Sequence, residues 1–543
     1  MRGLMMDSQL LISAIVCHAE QNFADREIVS VTADNPQHRY RFGDCVKRIH
    51  KLANALDKLG LSQGDRVATL AWNDYRHLEA YFAIGGAGYV CHTVNPRLFP
   101  DQIVYIINHA EDKWVMTDPM FVPLLEGFAD QTPDVEGYII LTSEDQMPET
   151  SLKNAISYEL LIKDEVDLYA WPDLDENEAV ALCYTSGTTG DPKGVLYSHR
   201  STLLHAYAGI APDVMGLSMK DCVLPVVPLF HVNAWGVPYA ALMVGTKLVL
   251  PGPKMGDGES LYAMMEEEGV TLALGVPTVW QGLLQYMASN GKRLNSLQRT
   301  IIGGAAVPES MIREFRDDHH VVVHQGWGMT EMSPLGTLNA LKAGMEDLPA
   351  DEILAIQTKQ GRGIFGVEMR IVDDDQNVLP WDDEAFGALQ VRGPWVCSDY
   401  FKLEGGGDSH TDDGWFETGD VAKIDPEGFM QITDRTKDVI KSGGEWISSI
   451  EVENVAVGHP AVAEAAVIGV AHPKWTERPL LIVIKAEGAE LTKEEMLAWF
   501  EGKIAKWWFP DDVLFVDEIP HTATGKIKKI ELRQQLADYK LPT

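Results

Sequence analysis

Short runs of β-branched and aliphatic residues alternate with longer segments in which apolar positions recur every three or four residues. "DRVATLAW", "GYIILT" and "TLALGV" read as strands, whereas "DCVKRIHKLANALDKLG" and "LYAMMEEEGV" read as amphipathic helices. That alternation predicts a doubly wound α/β architecture built on mostly parallel sheets over the first few hundred residues. From Gly361 the spacing shortens, and "VEMRIVDDDQNVLP" followed by "GALQVRGPWV" predicts a small antiparallel unit, expected as a β-barrel. After "DRTKDVIKSGGEW" the stretches "SSIEVENVAVGHPAVAEAAVIGV" and "KEEMLAWFEGKIAKWW" predict a compact α+β domain. The expected division is 1–436 and 437–543.

Length supports more than one core, since 543 residues exceed what a single hydrophobic interior organises. The 45% hydrophobic and 23% charged content is that of a folded globular chain. A formal charge of -35 argues against nucleic acid or an anionic membrane face as the main partner. Any anionic substrate therefore needs a locally donor-rich site. The six cysteines, Cys17, Cys45, Cys91, Cys183, Cys222 and Cys397, show no paired spacing, so neither a disulfide framework nor a zinc site is expected, and a reducing cytoplasm fits. "LLISAIVCHAEQNF" reads as an amphipathic first helix rather than a secretory signal, because Asp7 precedes it and no small-residue cleavage site follows. No apolar run approaches the ~20 residues of a membrane span.

The strand-like "AVALCYTSG" runs into "YTSGTTGDPKGVLYSH". Gly187, Gly190 and Gly194 allow close approach of backbone N–H groups to an anion, Thr185, Ser186, Thr188 and Thr189 add hydroxyl donors, and Lys193 adds charge. A P-loop of the NTPase kind needs lysine followed by serine or threonine at a helix start. Here Lys193 is followed by Gly194 and the strand-like "VLYS", so that reading fails on context. A ligand-free glycine hairpin is the remaining alternative.

Further segments carry chemistry. "GWGMTE" places an aromatic, a hydroxyl and a carboxylate together: Thr330 is suited to bond a phosphate and Glu331 to hold Mg²⁺, a cation that takes hard oxygen ligands, with a helix cap as the structural alternative. Asp420, closing "GWFETGD", is placed to accept from ribose hydroxyls or to serve as a turn aspartate. Gly303 and Gly304 in "IIGGAAVP" permit close backbone approach to a ligand. His231 in "PLFHVNAWG" reads either as a satisfied core histidine or as a functional one, and Lys526 in "HTATGKIKK" alone would read as a solvated charge.

In their order and wording these motifs, with "GWGMTEMSP", "DRTKDVIKSGGEWISSIEVE" and "TATGKIKK", resemble the adenylate-forming acyl-CoA synthetases, which share a fold with luciferases and peptide-synthetase adenylation domains. The resemblance covers nearly the whole chain. It implies an ATP-dependent acyl-CoA ligase that uses ATP, Mg²⁺ and coenzyme A and releases AMP and pyrophosphate. It assigns ATP binding to Thr185, Ser186, Gly187, Thr188, Thr189, Gly190, Lys193, Gly303, Gly304, Ala305, Trp327, Gly328, Met329, Thr330, Asp420, Arg435 and Lys526, with Trp327 packing on adenine where tyrosine is commoner.

The same resemblance gives catalytic roles to Lys526, Thr330, Glu331 and His231, with the metal on Glu331. It lines the acyl pocket with His231, Trp235, Gly303 and Pro334, where a bulky Trp235 shortens the tunnel. Lys437 is the implied hinge, and Lys441, Ser442, Gly443, Gly444, Glu445 and Trp446 border the pantetheine tunnel. The C-terminal domain is thereby expected to be mobile. The closest motif likeness is to the medium-chain branch, which includes ligases for 3-(methylthio)propanoate. That acid is the leading expectation, and butanoate to octanoate are the alternative. With no carrier segment after the small domain, free CoA is the expected acceptor. A carrier-protein adenylating enzyme and a non-catalytic nucleotide sensor are the other classes weighed. The family also makes a homodimer an expectation.

Overall fold

The computed structural model describes all residues except Arg2, Pro36, 186–190, 404–408, Gly444, Glu487, 522–526 and Thr543, and describes Glu445 by its backbone alone. The chain forms two compact units. The first comprises Met1–Thr185, Pro192–Val367 and a stretch beginning at Gly393; the second holds Glu368–Arg392 and the chain from residue 409 onward. Lys437 lies inside the second.

The first unit is built on two mixed sheets. In the nine-stranded sheet the strands Glu27–Ser30, Lys247–Leu250, Cys222–Pro225, Leu272–Gly275, Arg299–Ile302 and Val322–Gly328 run parallel side by side. Antiparallel strands close both edges: His38–Arg41 at one, Leu335–Leu338 and Arg362–Gly363 at the other. The seven-stranded sheet is parallel except where Gly194–Ser198 turns back on Ala179–Tyr184. The strands that flank the glycine- and threonine-rich segment, and the "GWGMTE" segment, thus mark places where a parallel sheet reverses direction at its edge. Such reversals free loop backbone for binding.

Local sequence explains the elements. The helix Ile12–Phe23 buries Ile12, Ile15, Val16 and Ala19, a single face at helical spacing, and each fully buried isoleucine or valine contributes roughly 1.5–3 kcal/mol. The expected strands "DRVATLAW", "GYIILT" and "TLALGV" appear as Arg66–Leu70, Gly137–Ile140 and Leu272–Gly275, and the two quoted helices as Phe42–Lys58 and Gly258–Glu268. Helix Tyr75–Gly86 is buried along its whole length and starts where the Asp74 side chain accepts from the His77 amide. Just before it, Asn73 donates to the carbonyls of Pro225 (2.9 Å) and Val227 (2.8 Å) and accepts from the Leu229 amide (2.7 Å), tying the helix start to the nine-stranded sheet.

The second unit contains an antiparallel sheet of Glu368–Val372, Phe386–Arg392, Phe416–Ile424 and Met430–Arg435, paired in that order. Among the described residues no pairing joins its outer strands. The α+β segment follows: the long hairpin Val462–His472 and Thr476–Lys485, with Asp512–Phe515 and the short strands Ile440–Ser442 and Glu445–Ile447. Helices Ser449–Val457, Lys493–Trp499 and Lys529–Gln535 accompany it, and one core gathers Ile447, Val452, Val467, Leu481, Met496 and Phe500.

Candidate functional site

His231 precedes a turn that the sequence does not announce. Val232, Asn233, Ala234 and Trp235 all carry φ between 47° and 56°, and Gly236 follows at 75°. Left-handed backbone costs a non-glycine residue about 1–2 kcal/mol, so four in succession persist only when their surroundings hold them. The holding groups are buried and polar. Asn233 Oδ1 accepts from the Tyr81 hydroxyl (3.2 Å) and from Cys183 Sγ (3.3 Å), and Ala234 N donates to Pro228 O (3.2 Å). Tyr81 also bonds the Leu229 carbonyl. A Cβ on Gly236 would lie 2.7 Å from His205 Nδ1. Burial lowers the His205 pKa to about 4, and its Nε2 accepts the Leu335 amide at 3.2 Å.

The turn turns Trp235 onto the backbone of "IIGG": a Cβ on Gly303 would stand 3.0 Å from Trp235 Cη2 and 3.0 Å from the Gly326 carbonyl. Two of the expected acyl-pocket residues are therefore in direct contact. His231 is half-buried at the turn's entrance, not enclosed in the core. Gly304 has φ 83°, which a side chain rarely adopts.

At the other edge, Thr185 N donates to Lys193 O (2.9 Å) and Lys193 N to Thr185 Oγ1 (3.1 Å), pinching together the ends of a loop whose middle, Ser186, Gly187, Thr188, Thr189 and Gly190, lies outside the described residues. Cys183, two residues upstream, contacts Thr93 Oγ1 (3.2 Å) as well as Asn233, and burial pushes its thiol up to about 11. Tyr197, on the strand leaving the loop, donates to the Thr330 carbonyl at 2.6 Å. The loop strands, the left-handed turn and the Thr330 turn are thus joined through buried polar groups.

Thr330–Met332 is a single short turn, and neither Met329 nor Thr330 caps a helix with its side chain. Thr330 and Glu331 are buried, and the Glu331 carboxylate accepts from the Tyr400 hydroxyl at 2.7 Å through Oε1. Lys193 Nζ stands 4.6 Å from the centre of the same Tyr400 ring. Burial, then the Glu331 charge, pushes the Tyr400 phenol well above its ordinary range, so it stays a donor. Trp327 is half-buried and packs against Gly336, where a Cβ would come within 2.6 Å of the ring. Gly328 and Met329 follow it, with Met329 N on Pro334 O at 3.1 Å, and a Cβ on Gly328 would meet that same carbonyl at 2.0 Å. Ala305 is exposed.

Mg²⁺ fits this geometry. Oε1 of Glu331 is engaged by Tyr400, and no donor among the described residues engages Oε2. The described residues hold no cluster of three histidine, cysteine or acidic ligands.

In the second unit, Asp420 lies within a strand rather than a turn, buried, opposite Arg435 on the neighbouring strand, with Arg435 Nε 2.8 Å from Oδ1. Around Lys437 both flanking aspartates are engaged. Asp438 pairs with Arg533 (2.6 Å), and Asp434 accepts from Ser449 N and from Ser449 Oγ (2.9 Å). Lys529 completes that cluster, donating to Ser449 Oγ (2.5 Å) and pairing with Glu453 (2.7 Å). Lys441 reaches Asp374 (3.0 Å) and lies over the Trp446 ring, which itself packs on Phe386. Ser442 is buried and accepts from Arg478 (3.3 Å), and Gly443, at φ 62°, donates to Trp475 O (2.8 Å). Glu445 pairs with Ser442 in register. Gly444 and Lys526 lie outside the described residues.

Tyr400, Tyr197, Asn233, Cys183 and Lys529 are absent from the set read off the sequence. All but Tyr400 lie inside stretches quoted there, Asn233 as a polar residue inside the apolar "PLFHVNAWG", but none was given a functional role.

Comparison with known proteins gives a consistent result. The family described as AMP-binding enzyme matches residues 17–401, and the AMP-binding enzyme C-terminal domain matches 451–526. A 3-methylmercaptopropionyl-CoA ligase of Ruegeria lacuscaerulensis is 52% identical over 538 residues, covering 99% of each chain. A medium-chain-fatty-acid–CoA ligase of Ectopseudomonas oleovorans is also 52% identical over 538 residues, covering 99% of this chain and 98% of its own. Among solved structures, ATP-bound MatB from Rhodopseudomonas palustris superposes with a TM-score of 0.82 at 26% identity, over 98% of this chain and 100% of that one.

Proposed function

Because the chain belongs to the AMP-binding enzyme family and is an AMP-forming acyl-CoA synthetase, we propose that it joins a short-to-medium-chain carboxylic acid to CoA, with 3-(methylthio)propanoate preferred. The observation that carries the phosphate chemistry is the shared phenol: Lys193, from the glycine- and threonine-rich loop, and Glu331, from a distant turn, converge on Tyr400. A cation and a metal-type carboxylate held on one side chain suit a triphosphate.

In the first half-reaction the acid's carboxylate attacks the α-phosphorus of ATP in line and pyrophosphate leaves, giving an acyl-adenylate. Two anions must approach each other. The donors of residues 185–190, Lys193 and Lys526 offset that repulsion, and fixed donors of this kind supply the largest share of catalysis in most such sites. Glu331 would hold Mg²⁺, which when bound neutralises phosphate charge. Thr330 bonds the α-phosphate, Asp420 and Arg435 hold the ribose, and Trp327 offers a face to adenine beside Gly304, Ala305, Gly328 and Met329. In the second half-reaction the CoA thiol attacks the same carbonyl and AMP leaves. Residues 1–436 serve as the adenylating domain and 437–543 as the mobile one, turning at Lys437 so that Lys526 acts in the first step and 441–446 border the pantetheine in the second. The protein acts in the cytoplasm, as a homodimer.

For the acid, His231, Trp235, Gly303 and Pro334 form the pocket, and the seating of Trp235 against Gly303 supports a short one. Trp235→Ala is therefore expected to raise kcat/KM for octanoate relative to butanoate by at least about 10-fold, since each methylene accommodated is worth roughly one such factor. An unchanged ratio removes Trp235 from the wall. The equal identity to a medium-chain-fatty-acid–CoA ligase supports a second reading, a general ligase for butanoate to octanoate. CoA-dependent AMP formation across butanoate to octanoate and 3-(methylthio)propanoate separates them: preference for the thioether acid over pentanoate is the expected result, and a flat profile favours the general ligase.

A further inference from the structure

The stretch from Gly393 onward is a strap that no motif of the sequence marks. It grips the Thr330 turn at successive points. Cys397 N donates to the Glu331 carbonyl (2.7 Å), Ser333 Oγ donates to Trp395 O (3.1 Å), and Trp395 Nε1 donates to Leu335 O (3.0 Å). At its far end Phe401 N donates to Gly194 O (2.8 Å), immediately after Lys193. Tyr400 sits between these anchorages, buried, with its hydroxyl on Glu331 and its ring beneath Lys193.

We infer that Tyr400 is the positioning residue of the phosphate site, fixing the rotamer of the Glu331 carboxylate through its hydroxyl and the reach of Lys193 through its ring. The inference rests on the ligase reading above and assigns that site a residue the reading does not use. A buried glutamate has three side-chain torsions, and the hydroxyl on Oε1 restricts them with Oε2 left open. Donors that orient a metal-binding carboxylate typically set affinity by about 10- to 100-fold. The ring does the same for the ammonium: a lysine over an aromatic face is attracted to it and loses freedom to swing away. Because the strap's backbone is tied to both Gly194 and Glu331, Tyr400 fixes the two charges relative to each other, not merely each in place.

Tyr400→Phe removes the hydroxyl and keeps the ring; Tyr400→Leu removes both. The direct measurement is Mn²⁺ binding, followed by electron paramagnetic resonance, to the full-length protein saturated with a non-hydrolysable ATP analogue. Tyr400→Phe is expected to weaken Mn²⁺ about 10-fold or more and to shift the Mg²⁺ dependence of adenylation by the same factor. The KM for the acid and thioester formation from supplied acyl-adenylate stay at the wild-type values. Tyr400→Leu is expected to add a loss of metal-free ATP affinity, through Lys193. Wild-type Mn²⁺ affinity in Tyr400→Phe overturns the hydroxyl's role, and equal metal-free ATP affinity in the two variants overturns the ring's. A uniform loss in acid KM, both half-reactions and melting temperature overturns the inference in favour of a purely structural tyrosine. If the wild type forms no AMP with any acid, the ligase reading fails, while the Mn²⁺ comparison still decides the role of Tyr400.

Discussion

Lys526→Ala is expected to slow acyl-adenylate formation by about 10²- to 10³-fold, the usual loss when one charge-stabilising donor is taken from a transition state. Thioester formation from chemically supplied acyl-adenylate should stay within about two-fold of wild type, because in that step the carboxylate and the α-phosphate are already joined and no anion needs bridging. Pyrophosphate release in a single turnover reads the first step, and CoA thioester from added adenylate reads the second. Equal loss in both would remove the lysine from its proposed role. The split is informative because family membership alone predicts activity, whereas the role of Lys526 predicts which half of the activity disappears.

Three residues further on, Lys529→Met is expected to destabilise the protein by about 3 kcal/mol or more, since it strands buried charge. Lys529 pairs with Glu453 and, through Ser449, supports Asp434, whose side chain is wholly buried. Burial raises both carboxyls and Lys529 opposes that rise. A carboxyl whose folded pKa exceeds its unfolded value favours the folded state increasingly as pH falls through that folded value. Removing Lys529 lifts both further, so the deficit should shrink as pH falls from neutral into the acid range and protonation cancels the unpaired charge. Denaturant melts across that range test it. A deficit under about 0.5 kcal/mol at neutral pH would mean the cluster is hydrated and contributes little. The same variant should lower adenylation more than thioester formation, because Lys529 opens the helix that directly follows the segment carrying Lys526.

Much of the fold was legible because burial and periodicity coincide. The first helix shows its face at Ile12, Ile15, Val16 and Ala19, and the strand "TLALGV" shows its apolar run. Helix Tyr75–Gly86 was not legible, because every residue is buried and there is no polar stripe to mark it. Its Arg76 and Glu79 are paired instead with Asp34, Glu159 and Arg48. The site shows the same division. Glycine, hydroxyl and lysine patterns mark a candidate anion-binding loop because that chemistry constrains residue type at fixed spacing. Asp420 reads equally as a turn residue until the register opposite Arg435 is seen. The left-handed turn is invisible in "VNAW", where no glycine signals positive φ, and its cause lies in Tyr81 and Cys183, far away in the chain. Tyr400 carries no sequence signal for a like reason: it is where Lys193 and Glu331 meet, which only tertiary structure provides.

Acid-dependent exchange of labelled pyrophosphate into ATP, measured without CoA, tests the central claim most directly. Reversible formation of an acyl-adenylate predicts exchange with 3-(methylthio)propanoate, none without an acid, and conversion to acyl-CoA and AMP once CoA is added. ATP bound by the protein with no exchange for any acid from butanoate to octanoate or for the thioether acid would contradict it, and would make the chain a nucleotide-binding sensor built on a ligase fold.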